Sequence, residues 1–330
     1  MNSSDHFRRK ADITLVVRSA PITTPRDSIA RPVDIPLFNV KLLAKFRPSL
    51  MMGTVLIASG LFHLTLLRVT GADWSGPLSL RKPGLFEVSA GVTIWSIAWV
   101  LTQLVSCRHD LRVATLMSGG LLLEVGLITL QQWRGVPSHF NRATVFDAVI
   151  ESIMLGLILL VTAGIASLCW RSRQFQPMIE SRAIAIRAGL WLLLVSCGLG
   201  LMATIFGEMN LASGHPPEIW GRAGILKYPH GAALHAIQTL PLLSILLQQM
   251  RVAYSAWLLR SAVATHVLLL AHALWQTFHG RARLEVDAIG GATLAMAGLL
   301  LLPPLVAIVR GVALMAQEFW FGPLLARRSK

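Results

Sequence analysis

Long apolar runs separated by short polar segments fill the chain from about residue 49 to about residue 309. Each run is long enough for a helix to cross a hydrocarbon core of roughly 30 Å. The apolar residues are continuous and do not alternate with polar ones, as they would in the strands of a β-barrel. A helix also satisfies the backbone hydrogen bonds of such a run internally, which lipid requires. The pattern predicts eight membrane-spanning helices, at residues 49–69, 85–106, 113–132, 146–169, 188–207, 231–250, 261–279 and 286–309.

The two ends of the chain differ from this apolar middle. Residues 1–46 are polar, contain the basic run Arg8-Arg9-Lys10 and have no apolar stretch before the first span. We therefore predict a disordered, basic cytoplasmic tail at 1–46, followed by a transmembrane helical bundle at 47–310. Residues 311–330 combine charged and aromatic side chains and end on basic residues. This pattern predicts an amphipathic helix on the membrane surface and a basic cytoplasmic C-terminus.

The composition favours a membrane protein over a soluble domain. Of the 330 residues, 54% are hydrophobic and 14% are charged, whereas about 25% of the residues in a soluble domain are charged. The net charge of +14 would suit a nucleic-acid-binding protein, but the basic residues lie between the apolar runs and form no continuous basic face. We expect an all-α integral membrane protein whose partner is the lipid bilayer and not a nucleic acid.

The distribution of Lys and Arg predicts how the helices are oriented. Cytoplasmic segments of membrane proteins are enriched in these residues. If the N-terminus is cytoplasmic, the inner segments from residue 41 onwards carry fifteen of them and the outer segments carry nine. Both termini are then cytoplasmic, as an even number of spans requires. We expect the protein to lie in a bacterial cytoplasmic (inner) membrane.

Five ionisable residues inside the predicted spans lie at similar depths. At 1.5 Å per residue, each is roughly 6–12 Å below the outer end of its helix. Ionisable residues within a membrane are costly, so they usually mark a functional site. The five residues are His63, Glu124, Glu151, His235 and His272. Their shared depth predicts one outward-facing site in the outer half of the bilayer.

Two of the histidines are followed by a glutamine on the same helical face. Gln238 lies three residues after His235, and Gln276 lies four residues after His272. Side chains at these separations are neighbours on a helix, so each glutamine would orient the imidazole or a bound ligand. Because a short loop joins the two helices, we expect them to be antiparallel neighbours.

The first functional hypothesis is an intramembrane metal site that acts on a lipophilic small molecule. His63, His235 and His272 would bind a divalent metal, since imidazole is the commonest metal ligand. Glu124 and Glu151 would be the catalytic carboxylates, because carboxylates complete such sites. A bound metal of this kind would support redox or hydrolytic chemistry.

A haem variant of this hypothesis uses only two of the histidines. His235 and His272 would be the axial ligands of haem b. Gln238, Gln276 and Arg134 would contact the cofactor, with Arg134, Arg142 or Arg222 near the propionates. Such a centre would make the protein an intramembrane redox protein.

Two other classes of function fit the same residues. Buried Glu and His side chains are typical parts of proton relays, which favours a proton-coupled transporter. The cytoplasmic halves of the spans look apolar, however, which argues against a continuous path across the membrane. The third hypothesis is a non-catalytic assembly or sensor subunit in which the polar side chains only fix helix packing.

Two outer loops, at 133–145 and 208–230, combine turn residues with hydrogen-bond donors and aromatic side chains. Loops with this composition often carry recognition. We therefore consider them as a lid over the predicted site, with helix capping as the simpler alternative.

Small residues within the spans predict where helices pack closely. Gly119, Gly120 and Gly126 lie in the third span, and Gly198 and Gly200 lie in the fifth. Glycine allows the backbones of two transmembrane helices to approach each other. We expect close helix contacts at these positions.

The orientation leads to a labelling prediction. Cysteine introduced at Ser138, Glu218 or Arg283 should react with a membrane-impermeant thiol reagent in intact cells, because these positions are predicted to face outward. Cysteine at Arg173 or Arg260 should react only after the membrane is permeabilised. Labelling at position 173 without labelling at position 138 would contradict the orientation.

Overall fold

The computed structural model describes residues 40–74, 76, 78–174 and 179–328. Within these ranges the chain forms ten helices and one hairpin of two short strands. The helices are α1 (Val40–Lys45), α2 (Arg47–Thr70), α3 (Arg81–Gln103), α4 (Asp110–Trp133), α5 (Val145–Ser172), α6 (Glu180–Ala212), α7 (Lys227–Leu234), α8 (Ala236–Gln249), α9 (Ser255–Phe278) and α10 (Ala288–Arg328). Strands β1 (Ile219–Trp220) and β2 (Gly224–Ile225) pair antiparallel between α6 and α7. Residues 1–39 of the predicted tail lie outside the described residues.

Eight stretches of helix are long and apolar enough to cross a membrane, with α7 and α8 counted as one stretch from Lys227 to Gln249. This confirms the predicted helical bundle with eight long apolar stretches, and their insertion in a membrane stays a prediction. In the fifth span, α6 begins at Glu180 instead of residue 188. The cytoplasmic location of both ends stays a prediction.

The outward surface of the helices is apolar, as expected of helices in lipid. On α2, the side chains of Met51, Val55 and Phe62 are each more than half exposed. Exposed large apolar residues also recur along α5 and α10. Soluble monomers rarely expose apolar patches of this extent. Together with the eight apolar helices, this surface suggests an integral membrane protein.

Two of the predicted elements have a different shape in the structure. The predicted span at 231–250 is divided at His235, because α7 ends at Leu234 and α8 begins at Ala236. The predicted surface segment at 311–330 continues the last span, since α10 runs without interruption to Arg328. Its location on a membrane surface stays a prediction.

Helices α2 and α3 cross at two pairs of glycines. A Cβ atom added to Gly91 would lie 2.6 Å from the Gly53 carbonyl oxygen, and one added to Gly60 would lie 2.7 Å from the Gly84 carbonyl oxygen. No ordinary side chain fits in these gaps, so the glycines let the two backbones touch. The crossing holds α2 and α3 side by side next to part of the candidate site.

One arginine joins the predicted cytoplasmic ends of three helices. Arg182 on α6 is buried and donates hydrogen bonds to the amide oxygens of Gln103 on α3, at 3.0 Å, and Gln248 on α8, at 2.6 Å. Both α3 and α8 end here, and the carboxyl ends of helices favour a cation. Arg182 lies in a segment that the sequence analysis counted as an inner connection, and the structure places it in the first turn of α6.

The glycine crossing leads to a prediction of stability. Gly91→Ala should lower the free energy of unfolding by about 1–3 kcal/mol, the usual cost of overpacking. Gly119→Ala on α4 is the matched control, because nothing lies within 4 Å of its Cβ position and the gain in helix propensity is the same. Thermal unfolding of the detergent-solubilised protein measures both. Equal stability of the two variants would contradict the close crossing.

Candidate functional site

His63 on α2 and Glu87 on α3 form a buried pair beside the glycine crossing. The His63 Nδ1 atom lies 2.8 Å from Glu87 Oε2, and each side chain is only 4% exposed. Glu87 Oε1 accepts hydrogen bonds from Ser59 Oγ at 3.0 Å and from Thr129 Oγ1 at 2.9 Å. The indole Nε1 of Trp133 lies 3.0 Å from His63 Nε2. Helices α2, α3 and α4 therefore share one hydrogen-bond network.

The hydrogen bond from Trp133 determines which ring nitrogen of His63 carries the proton. An indole N–H only donates, so His63 Nε2 accepts and the ring proton lies on Nδ1. The imidazole is then neutral and donates to the Glu87 carboxylate. Because both ring nitrogens are engaged, His63 has no free lone pair for the predicted metal. Glu87 was missed as a site residue, although an acidic residue within an apolar span is the signal that identified Glu124.

Arg134 and Asp147 join the end of α4 to the start of α5, at the predicted outer side. Arg134 Nη1 lies 2.6 Å from Asp147 Oδ1, which also accepts a hydrogen bond from Gln131 Nε2 at 3.0 Å. Thr144 caps α5, since its hydroxyl accepts from the Asp147 backbone N–H and lies 2.7 Å from the Asp147 carboxylate. The guanidinium of Arg134 also lies 4.7 Å from the centre of the Phe146 ring. These contacts give Arg134 a role in joining helix ends, which differs from the predicted cofactor contact.

Glu151 on α5 holds the outer loop between α4 and α5. Its carboxylate accepts hydrogen bonds from the Phe140 backbone N–H at 2.9 Å and from Arg142 Nε at 2.8 Å. Phe140 has a φ of 57°, a conformation that residues other than glycine rarely adopt. Its ring packs against Gly207 on α6. The contacts of Glu151 are therefore those of a residue that stabilises a turn, and its predicted catalytic role stays a prediction.

Glu124 is buried on α4 and has no hydrogen-bond or ion-pair partner among the residues that the structure describes. It shares a helical face with Gly120 and Ile128, which pack against α5. A buried carboxylate without a partner is costly. The carboxyl group forms no hydrogen bond with any other predicted site residue.

His235 lies at the junction of α7 and α8 and is exposed. Its Nδ1 atom is 2.9 Å from Gln238 Oε1, so the predicted pairing of this histidine with the glutamine is present. The Gln238 amide also donates to the Ser89 carbonyl oxygen at 3.2 Å and to the Thr93 hydroxyl at 3.0 Å. Gln238 thus joins α8 to α3 in addition to orienting the imidazole.

His272 and Gln276 are fully buried on one face of α9. The His272 ring meets the Tyr228 ring edge-on, with the centroids 6.4 Å apart. Gln276 Nε2 donates to the Glu285 carbonyl oxygen at 2.9 Å. His272 Nδ1 and Gln276 Oε1 have no hydrogen-bond partner in the described part of the chain. The two residues lie on a shared face as predicted, and His272 faces α7.

The five predicted groups belong to separate helix contacts. His63 lies among α2, α3 and α4, His235 lies at the α7–α8 junction, and His272 faces α7. Across residues 40–74, 76, 78–174 and 179–328, no three His, Cys, Asp or Glu side chains are close enough to hold a metal ion. Helices with polar groups at equal depth need not be neighbours, so equal depth alone does not bring these residues together. The roles of the predicted site residues stay predictions.

A second polar cluster lies where the two outer loops meet the first turns of α3 and α7. This outer cluster consists of Lys82, His139, Glu218 and Lys227. Burial lowers the pKa of His139 to about 4, and the nearby Lys82 ammonium adds to this effect. His139 is therefore neutral at neutral pH. Its Nδ1 atom lies 3.0 Å from the hydroxyl of the buried Ser138.

The charges of the outer cluster do not balance. Lys227 Nζ and Glu218 Oε2 form an ion pair at 2.7 Å. Burial raises the pKa of Glu218, but the hydrogen bond and charge of Lys227 outweigh burial and bring the pKa below its usual value. The Lys82 ammonium has no hydrogen-bond or ion-pair partner among the described residues. The outer cluster therefore has two cations for one carboxylate.

Both outer loops are fixed to the helix ends around them. The backbone N–H of Ala223 in the hairpin donates to the Gly280 carbonyl oxygen at 2.9 Å, and the N–H of Leu226 donates to the Glu218 carbonyl oxygen at 3.1 Å. Glu151 and Gly207 hold the other loop, as described above. No member of the outer cluster was a predicted site residue. Three of the four do lie in the two loops that the sequence singled out, which was the available signal.

The chain matches no protein-family model, no curated protein and no solved structure. Any proposal about function therefore has to be based on the structure itself, in particular on the buried network around Glu87 and the outer cluster around Lys82.

The role of Glu151 leads to a prediction of loop dynamics. Glu151→Gln should speed hydrogen exchange in residues 136–143 roughly tenfold, because a hydrogen bond to a charged group contributes about 1.5 kcal/mol or more. Ser152→Ala is the control, since the Ser152 hydroxyl only bonds the Ala148 carbonyl oxygen of its own helix. Exchange measured by mass spectrometry in detergent distinguishes the two. Unchanged exchange in Glu151→Gln would show that the carboxylate does not hold the loop.

Proposed function

We propose that this protein binds an anionic amphiphile at its outer face, with the charged head of the ligand in the outer cluster. The observation that carries the proposal is the Lys82 ammonium, which is largely shielded from water and has no partner among the described residues. Removing a cation from water without a counter-charge is costly. An anionic head beside Lys82 would supply that counter-charge.

The charge balance supports a ligand with a single negative charge. Lys227 already pairs with Glu218, and His139 is neutral because of its lowered pKa. Among the four side chains of the outer cluster, one positive charge, that of Lys82, is left for the ligand. The imidazole and the Ser138 hydroxyl add neutral hydrogen-bonding groups, which suit phosphate or carboxylate oxygens.

The location of the outer cluster supports an amphiphile. Lys82 and Lys227 lie in the first turns of α3 and α7, at the ends of helices that are long enough to span a membrane. Lipid headgroups lie at this level of a membrane. Phe86, one turn after Lys82, is partly exposed and lies 6.3 Å from the His139 ring between centroids. An acyl chain would have apolar surface to contact directly beneath the charged head.

The predicted metal and haem chemistry has less support from the geometry of the described residues. His63 has both ring nitrogens in hydrogen bonds, and His235 and His272 take part in different helix contacts. The outer cluster, in contrast, brings together four side chains from three segments that are far apart in sequence. We therefore propose recognition of an anionic amphiphile as the function, in place of metal-dependent catalysis.

Binding of lipids to the purified protein tests this function. Lys82→Gln should weaken binding of phosphatidylglycerol about tenfold, because it removes a charged hydrogen bond worth about 1.5 kcal/mol or more. Phosphatidylcholine of the same chain length should bind weakly and equally to both proteins. Native mass spectrometry in a neutral detergent measures the bound lipid directly.

Arg68→Gln is the matched control, because it removes one exposed cation at the outer end of α2. This variant should bind phosphatidylglycerol like the unmodified protein. An equal loss in Lys82→Gln and Arg68→Gln would mean that only overall charge matters, and would contradict a specific site. Binding of inorganic phosphate without binding of the lipid would show that the ligand is a free anion.

A further inference from the structure

We infer that His235, Thr239 and His266 form a polar patch inside the bundle's membrane-spanning part, and that this patch binds an uncharged lipophilic molecule through a hydroxyl group of that molecule. His235 and Thr239 lie one turn apart and are both exposed. His266 on α9 contacts Thr239. None of the three residues belongs to the outer cluster, so the two sites can be tested separately.

The polar patch lies deep in its spans. At 1.5 Å per residue, Thr239 is about 18 Å along the helical stretch that begins at Lys227, and His235 is about 12 Å along it. His266 is about 18 Å from the end of α9 at Phe278. Consecutive helices joined by a short loop are antiparallel, so Thr239 and His266 meet at one level. In a hydrocarbon core of about 30 Å, that level is close to the middle.

The contacts of Gln238 determine which ring nitrogen of His235 carries the proton. A carbonyl oxygen only accepts, so the amide nitrogen of Gln238 is the atom that lies 3.2 Å from the Ser89 carbonyl oxygen. The amide oxygen therefore faces His235 and accepts from Nδ1 at 2.9 Å. In the neutral ring, Nε2 is then an acceptor. This Nε2 atom forms no hydrogen bond within the described part of the chain.

Thr239 and His266 add a second acceptor to the polar patch. The single hydroxyl hydrogen of Thr239 is donated to the His235 carbonyl oxygen at 3.0 Å, so the hydroxyl oxygen accepts from His266 Nε2 at 2.8 Å. With its proton on Nε2, His266 has an acceptor at Nδ1. This Nδ1 atom is buried and has no hydrogen-bond partner among the residues that the structure describes.

The two acceptors determine the chemistry of the ligand. Lipid chains provide no hydrogen-bond donor, and a polar group without a partner in hydrocarbon is costly. A hydroxyl group donates to the exposed His235 Nε2, whereas an ether, ester or ketone oxygen only accepts. A charged group is costly at this depth, so the ligand is uncharged. A lipophilic alcohol or phenol meets both requirements.

The neighbouring side chains also favour an uncharged ligand. His230 on α7 and His266 on α9 are close enough to His235 to interact with it electrostatically. His230 Nδ1 in turn lies 2.8 Å from the Ser196 carbonyl oxygen on α6. In the described ranges of the chain, no three His, Cys, Asp or Glu side chains are close enough to hold a metal ion. A neutral organic hydroxyl therefore fits the polar patch better than a metal ion.

Competition photolabelling tests the inference. The label is para-decylphenol with a photoreactive diazirine in its chain, added to the purified protein in lipid nanodiscs. Unlabelled para-decylphenol and its methyl ether have nearly the same shape, but the ether has no hydroxyl hydrogen. The phenol should displace the label about fivefold more effectively than the ether, because it forms one more hydrogen bond. Equal displacement by the two compounds would overturn the inference.

A pair of histidine variants locates the hydroxyl contact. His235→Phe should abolish the preference for the phenol, because it retains a ring but removes the Nε2 acceptor. His279→Phe is the matched control, since His279 is exposed at the end of α9 and its Nδ1 atom lies 2.9 Å from the Trp275 carbonyl oxygen. This control should retain the preference. A preference that survives in His235→Phe, or that is lost equally in both variants, would contradict the inference.

The position of the label keeps the test decisive if His235→Phe does not fold. Mass spectrometry of the unmodified protein should find the label within residues 235–242 or 263–270, the segments that carry the polar patch. Excess para-decylphenol should remove this label. Label confined to other helices would overturn the inference.

Discussion

A polar group inside an apolar bundle has to find its hydrogen bonds within the protein, because lipid offers none. This constraint determines most of the contacts described above. His63 and Glu87 satisfy each other together with hydroxyl groups of two helices, and Arg134 and Asp147 do so at the outer end of α4. Arg182 relies on two glutamine amides at the opposite end. The polar side chains therefore fix which helices are neighbours.

The sequence was sufficient for the number and type of the helices, because span length and apolar character are local properties. It was not sufficient for the site. The depth of a residue in the membrane follows from its position along its own helix, but its neighbours on other helices depend on how the helices pack. His63 and His272 have similar predicted depths, yet they contact different sets of helices. Glu87, like Glu124, is an acidic residue within an apolar span. Its buried contact, however, depends on His63, which lies on another helix. Glu151 bonds the backbone of Phe140, and no sequence pattern indicates a contact of that kind.

The glycines illustrate the same limit. Gly119, Gly126 and Gly198 were expected at helix contacts, but nothing lies within 4 Å of their Cβ positions. The tight contact is instead made by Gly53 and Gly91, one on each of two helices. A close crossing needs small residues on both helices at matching heights. Spacing within a single helix cannot reveal whether such a match exists.

The fixed outer loops affect how the outer cluster would acquire a ligand. Glu151 and Gly207 hold one loop and the hairpin contact at Gly280 holds the other, so the surroundings of Lys82 are fixed in advance. A preformed binding site requires little ordering when it is filled. A molecule dissolved in the bilayer could reach it by sliding along the membrane plane, without any opening motion of the protein. Occupancy would then follow the mole fraction of the molecule in the surrounding leaflet more closely than its concentration in water.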